Sequence, residues 1–167
     1  MLDSTINLIK ANLNDVELIE RLARDIWHHY YPNIISMEQI EYMLAKMYKK
    51  ESLIEQMTEK NDVFYLININ NEPKGFISIT QTGEGDYFLS KFYILQTTAA
   101  KGKGTRAFKQ LLSVLQPNTI SLTVNRQNYK SINFYFKNGF VIEKVADFDI
   151  GNGFVMNDFV MKWNKPN

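Results

Sequence analysis

One stretch restricts what this chain can fold into more than any other. Tyr87 to Pro117 reads as an apolar strand, a turn carrying two glycines, and an amphipathic helix. Tyr87–Leu95 is apolar at nearly every residue and broken only by Ser90 and Lys91, which predicts a strand covered on both faces in mid-sheet. Ala107, Phe108, Leu111, Leu112 and Leu115 recur at helical spacing, and Pro117 ends the run. Between strand and helix lies Ala99-Ala100-Lys101-Gly102-Lys103-Gly104. Small residues let backbone approach a ligand closely, and the first amides of a helix have no partner within it. Such a turn suits a phosphate or pyrophosphate, and Lys101 and Lys103 add charge of the right sign.

Two well-known glycine loops are tested and set aside. The spacing of a P-loop is absent. A dinucleotide fingerprint is half met by Gly102 and Gly104, but Ala107 takes the third place. The region where its downstream acid belongs holds Thr123, Asn125 and Gln127 instead. On its own, the turn reads more readily as a plain strand-to-helix connection with a solvated basic face.

The totals narrow the field. A chain of 167 residues predicts a single domain over residues 1–167 with a full core, and 45% hydrophobic with 22% charged residues is the balance of an ordinary globule. A net charge of +1 argues against a nucleic-acid or membrane partner. Without cysteine there is no disulfide, thiolate zinc site or cysteine nucleophile, and two histidines lacking helical i, i+4 spacing give no metal signal. No apolar run approaches the ~20 residues of a membrane span, and the N-terminus lacks the pattern of a signal peptide, so the cytoplasm is the expected compartment.

Taken in order, Ile6–Ala11 reads as a strand. Asn14 to Glu17 reads as a capping box that opens a helix with Ile19, Leu22, Ala23, Ile26, Trp27 and Tyr30 on one face, stopped by Pro32. Ser36 to Gln39 is a second capping box, followed by Ile40, Met43, Leu44 and Met47. Ser52–Lys60 is a short third helix. Val63–Ile69 and Phe76–Thr80 form a hairpin about the turn-rich Asn70–Gly75, and Thr82–Asp86 turns into the central strand. Ile120, Leu122 and Val124 alternate as a strand, Asn128 to Asn138 is a helix, and Phe140–Ile150 and Phe154–Trp163 are strands joined at Gly151-Asn152-Gly153. The expected fold is α/β: a mixed, mostly antiparallel central sheet with helices on both faces, an α/β/α sandwich.

Asn128 to Phe140 follows the pattern N-x-x-(A/S)-x-x-F-Y-x-x-x-G-F. It resembles a signature of the GCN5-related N-acetyltransferases, the GNAT superfamily, and the glycine turn in register with it resembles that superfamily's pyrophosphate loop. The family has Gln or Arg at the loop's first position, where this chain has Ala99. The resemblance implies acetyl-CoA as co-substrate. It implies that Ala99, Ala100, Lys101, Gly102, Lys103, Gly104 and Thr105 hold the pyrophosphate, and that Tyr93 and Ile94, at the end of a splayed strand, hold the pantetheine arm. Asn128 and Ser131 then match positions near the co-substrate, Lys137 is within reach of a phosphate, and Tyr135 is the acid that protonates the departing thiolate. A phenol of pKa ~10 can give a proton to a thiolate whose thiol has pKa ~8.5.

The acceptor amine has its own requirement. At pH 7 only about one alkyl amine in two thousand is neutral, so a base within reach is needed. The sequence offers Glu38 near the start of the second helix, Asp158 alternating with Phe154, Met156 and Val160, and His28 and His29 after Trp27; each is also an ordinary surface or strand residue. Trp27, Tyr31, Glu38 and Tyr42 are the expected acceptor-binding residues, with His28, Tyr30, Ile35 and Gln39 beside them. The expected activity is direct acetyl transfer to a primary amine of a small molecule, polyamines being one candidate class. A non-catalytic acyl-CoA sensor on the same fold and a protein- or peptide-amine acetyltransferase compete with it. A nucleic-acid binder would rest only on Lys101, Lys103, Arg106 and Lys109. Oligomeric state is left open between monomer and homodimer.

Overall fold

A computed structural model describes residues 4–95 and 101–167. Seven strands form one sheet: β1 (Ile6–Lys10), β2 (Val63–Ile69), β3 (Glu72–Gly83), β4 (Asp86–Ile94), β5 (Thr119–Asn125), β6 (Val141–Gly151) and β7 (Phe154–Asn164), in the order β1-β2-β3-β4-β5-β7-β6. Every neighbouring pair is antiparallel except β4 with β5. Five α-helices cover it: α1 (Val16–Tyr30), α2 (Met37–Met47), α3 (Lys50–Thr58), α4 (Lys103–Leu115) and α5 (Tyr129–Lys137). The expected architecture is the one observed, with β4 in the middle of the sheet.

Strand alternation sorts the core into two layers. Ile67, Ile77, Ile79, Leu89, Ile120, Leu122 and Val124 pack with Ala107, Phe108 and Leu111 of α4 and Ile132 and Tyr135 of α5. Phe64, Leu66 and Phe76 point the other way, under Ile19, Ala23, Ile26 and Trp27 of α1, Ile40 and Leu44 of α2 and Leu53 of α3.

Three local choices differ from the sequence reading. Strand β3 runs over Glu72–Gly83 where Phe76–Thr80 was expected, so the turn expected over Asn70–Gly75 shrinks to Asn70-Asn71. The cap ahead of α1 is Asn12, whose side chain accepts from Asn14 N–H while Asp15 Oδ2 accepts from Asn12 N–H, opening a short 3-10 turn over Leu13–Asp15. Glu17 instead faces solvent and pairs with Lys50 at 2.9 Å. Lys50 also starts α3, two residues before Ser52. At α2 the cap is as expected: Ser36 Oγ accepts from Gln39 N–H at 3.1 Å.

Two irregularities of β4 shape the site. Its register against β3 slips between Ser78/Lys91 and Ile79/Leu89, leaving Ser90 as an extra residue whose hydroxyl donates to Ser78 O at 3.3 Å. A bulge of this kind reverses which residues face which layer. Tyr87 and Leu89 therefore pack towards α4, and beyond the bulge Phe92 and Ile94 do so while Tyr93 faces α1. The pairing of β4 with β5 is also brief, joining only Asp86–Phe88 to Thr119–Ser121. Past that point β4 follows β3 and β5 follows β7, and the sheet opens between them.

Candidate active site

The opening holds two cavities that meet. The first, about 180 Å³, is lined by Tyr93 and Ile94 of β4, Gly102, Lys103 and Gly104 at the start of α4, and Ser131, Phe134 and Tyr135 of α5, with Tyr30 and Lys130 at its side. The second, about 300 Å³, lies towards α1 and α2 and is lined by Trp27, Tyr31, Met43 and Met47, by β4 from Phe88 to Tyr93, and by Met156 and Asp158 of β7. Phe92, Tyr93, Ser131 and Tyr135 belong to both.

Gly102 precedes α4 with φ +87°, a conformation that side-chain-bearing residues rarely adopt. The first bond of the helix runs from Arg106 N–H to Gly102 O at 3.0 Å. The backbone N–H groups of Gly104 and Thr105 therefore have no carbonyl inside the helix to donate to. Gly104 must be bare for a different reason: a Cβ there would stand 2.9 Å from the Phe134 ring. The glycine turn and the Phe134-Tyr135 motif are thus fitted to each other, which the sequence could not show. Lys130 Nζ lies 5.7 Å above the Tyr30 ring at the same cavity.

Asn128 caps α5, its Oδ1 accepting from Ser131 N–H at 3.2 Å and from the Tyr30 hydroxyl at 2.8 Å. Tyr30 also lies 3.2 Å from Ser131 Oγ, tying α1 to the start of α5. Tyr135 is buried against the rings of Phe134 and Phe140. Burial, with a smaller push from Tyr30, raises its phenol above the ordinary tyrosine range and keeps it protonated at neutral pH. Burial does the same for Tyr31 and Tyr93, whose hydroxyls lie 3.3 Å apart in the second cavity.

Asp158 is 3% exposed, and its Oδ1 has no hydrogen-bond partner. Burial raises its carboxyl to about 6 against the opposing pull of Thr123 and Arg126. The sequence offered it both as a base candidate, alternating with Phe154, Met156 and Val160, and as an ordinary surface or turn-facing strand residue; it is enclosed, on β7 between β5 and β6.

Among the expected site residues, Tyr93, Ile94, Gly102, Lys103, Gly104, Asn128, Ser131, Tyr135, Trp27 and Tyr31 line one or both cavities. Thr105 instead accepts from Asn138 Nδ2 at 3.3 Å. Lys101 and Lys137 are exposed and line neither cavity. Tyr42 donates to Ile150 O at 2.7 Å beside the second cavity without lining it. Glu38 is exposed on the first turn of α2, and His28 pairs with Glu41 on the outer surface. Ala99 and Ala100 lie outside the described residues. Phe92, Lys130, Phe134 and Lys91 line the cavities without having been singled out. A lone lysine inside an apolar strand was the available signal for Lys91.

Among the described residues, no helix is long and apolar enough to cross a membrane, and no acid or histidine cluster could hold a metal ion. A profile of the acetyltransferase (GNAT) domain matches residues 33–161. The spermidine N(1)-acetyltransferase of Thermoplasma acidophilum is 28% identical over 159 residues, spanning 91% of this chain and 96% of its own. The crystal structure of the PaiA N-acetyltransferase of Thermoplasma acidophilum in complex with coenzyme A superposes with a TM-score of 0.78 at 26% identity, covering 96% and 99% of the two chains. A GNAT protein from Rhodopseudomonas palustris, at 15% identity and a TM-score of 0.77 over 99% of each chain, shares the fold.

Proposed function

The chain belongs to the GNAT acetyltransferases and is an N-acetyltransferase that uses acetyl-CoA; from that premise we propose that residues 1–167 act as one domain that moves the acetyl group directly to a primary amine of a small molecule. Polyamines are the class suggested by the name of the Thermoplasma relative. The observation that carries the reading is the meeting of two cavities at Tyr135, one suited to each partner of a direct transfer.

The residues present fit the co-substrate. Its diphosphate needs N–H donors and positive charge, and the first cavity offers the start of α4 with Lys103 and Lys130 beside it. Its pantetheine arm is an amide chain, which pairs with strand-like backbone. The edge of β4 beyond Phe88 has no β5 partner and is available for that pairing. Acetyl-CoA supplies an activated acyl group on a thiol leaving group. Tyr135 stands where the cavities join and gives its hydroxyl proton to the departing sulfur. Trp27 and Tyr31 present aromatic surface to the acceptor's stem and charge.

The test is free thiol released from acetyl-CoA with a panel containing spermidine, putrescine, n-butylamine, benzylamine and a lysine peptide. Release with a small amine supports the reading. Release with the peptide alone moves the activity to protein amines. Binding of acetyl-CoA without release from any amine indicates a sensor.

A further inference from the structure

Resting on the reading just given, we propose that Asp158 is the acceptor site's ammonium anchor and proton acceptor: the amine enters as a cation, pairs with the buried carboxylate, and surrenders its proton there. Four observations bear on it. Asp158 is the one acid among the described residues that line the second cavity. It is 3% exposed, and its Oδ1 has no partner within the protein. Buried carboxylates are normally satisfied, so an orphaned oxygen lining a cavity is open to a donor from the cavity's contents. The same cavity reaches Tyr135, so an amine held by Asp158 and a thioester beside Tyr135 occupy adjoining space. The other acids and histidines considered from sequence stand elsewhere, with Glu38 and His29 exposed and His28 paired with Glu41 outside.

The chemistry balances. Asp158 takes one proton from the ammonium and passes it to water. The freed nitrogen lone pair forms the C–N bond to the acetyl carbon, and the C–S bond breaks with its electrons going to sulfur. Tyr135 protonates that sulfur, and the second proton shed by nitrogen restores Tyr135 through solvent. The sum is ammonium plus thioester giving amide, thiol and one released proton.

The groups facing Asp158 set its titration. Thr123 of β5 and Arg126 beyond β5 both favour its charge. Asp147 of β6, itself paired with Arg126 at 2.7 Å, opposes that charge. Lys91, Tyr31, Tyr93 and Tyr135 are the other titratable groups lining the cavity. Burial is the largest influence and leaves the carboxyl near 6, ionised at neutral pH yet basic enough to take a proton.

Two measurements decide the proposal. The first needs no turnover: the side-chain carboxyl of 13C-aspartate-labelled protein, assigned to Asp158 by its loss in Asp158→Asn, is titrated with and without 50 mM n-butylamine. A bound ammonium should lower the midpoint by about one unit or more. An unchanged midpoint overturns the anchor. The second is kcat/KM against pH for the best amine of the panel. Wild-type activity should fall away below about 6. Asp158→Asn, which keeps shape and volume, should lose roughly 10²–10⁴-fold at pH 7 but under about tenfold near pH 10, where the amine is neutral unaided. A profile in Asp158→Asn that merely scales down the wild-type curve indicates a structural role and overturns the base. Failure of the whole panel would sink the transfer reading while the carboxyl titration still decides the anchor.

Discussion

Lys91 puts an ammonium where the strand pattern asks for hydrocarbon. Its Nζ donates to Gln56 Oε1 at 2.6 Å and lies 5.4 Å and 5.6 Å from the Phe64 and Tyr48 rings. Burial pulls its pKa from 10.5 to about 8, against a smaller upward pull from Asp62. Below about 8 both states are protonated and the fold carries the full cost of a buried charge. Between about 8 and 10.5 the unfolded chain keeps a proton the folded one has lost, so stability should rise with pH through that window. Each unit of depression corresponds to about 1.4 kcal/mol. Lys91→Met keeps the stem and strands only Gln56 Oε1; it should stabilise the fold by about 1–3 kcal/mol at pH 7 and flatten that rise, as denaturant melts at pH 7 and pH 10 would show. Tyr135→Phe removes one hydroxyl and keeps the ring packing. Single-turnover acetyl transfer should then drop by up to roughly 10²–10⁴-fold with acetyl-CoA affinity nearly unchanged, and normal single-turnover chemistry would remove Tyr135 as the acid. The place of Tyr135 beside both cavities was legible because its motif is contiguous. The settings of Lys91 and Asp158 were not, because a side chain's partners and influences lie far off in sequence: Gln56 accepts from the one, and Thr123 and Arg126 act on the charge of the other.

At the scale of elements, most of the architecture could be read from periodicity, with shifts of a residue or two where caps compete and a larger one at β3, which runs over Glu72–Gly83 rather than Phe76–Thr80. Asn12 won over Asn14 because it can exchange both capping bonds with Asp15. The bulge at Ser90 was written in the sequence as an interruption of apolar residues, yet the reversal of faces it causes needs the β3 register to be seen. The start of α4 has a similar hidden constraint. Gly104→Glu places a side chain against Phe134 and an anion beside the proposed diphosphate site. Acetyl-CoA affinity measured by calorimetry should fall by more than about a hundredfold, while the far-UV dichroism stays that of the wild type. Gly104→Ala separates the two causes: it adds the steric contact without the charge, and affinity should fall by roughly tenfold through displacement of Phe134.

Over the whole molecule, a mixed, mostly antiparallel sheet with helices on both faces followed from the elements in sequence, whereas the order of its strands did not; the family resemblance implied a splayed strand end, but its place between β4 and β5 past Phe88 needed the structure. Nothing in either strand's composition says where their pairing stops. A ligand seated in that opening touches β4, α4 and α5 together. Acetyl-CoA at a hundred times its dissociation constant should add about 2.7 kcal/mol to stability, roughly 5–10 °C in melting temperature for a chain of this size. Hydrogen exchange should slow most at Phe92–Ile94 and at the N-terminal turns of α4 and α5. An unchanged melting temperature at millimolar acetyl-CoA, with calorimetry also silent, would remove the co-substrate site.

The brief β4–β5 pairing also divides the covalent chain. Strands β1 to β4 all come before Leu95 and strands β5 to β7 all come after Lys101, so a single cut between those residues leaves each half-sheet on its own fragment. The fragments still interlock, because α4 of the second packs on the first, its Gln110 Oε1 accepting from Leu8 N–H at 3.1 Å. Co-expressed as two pieces, they should reassemble into a complementation pair. Acetyl-CoA, bridging the cut sheet, should tighten that reassembly and turn the enzyme into a reporter of its own co-substrate.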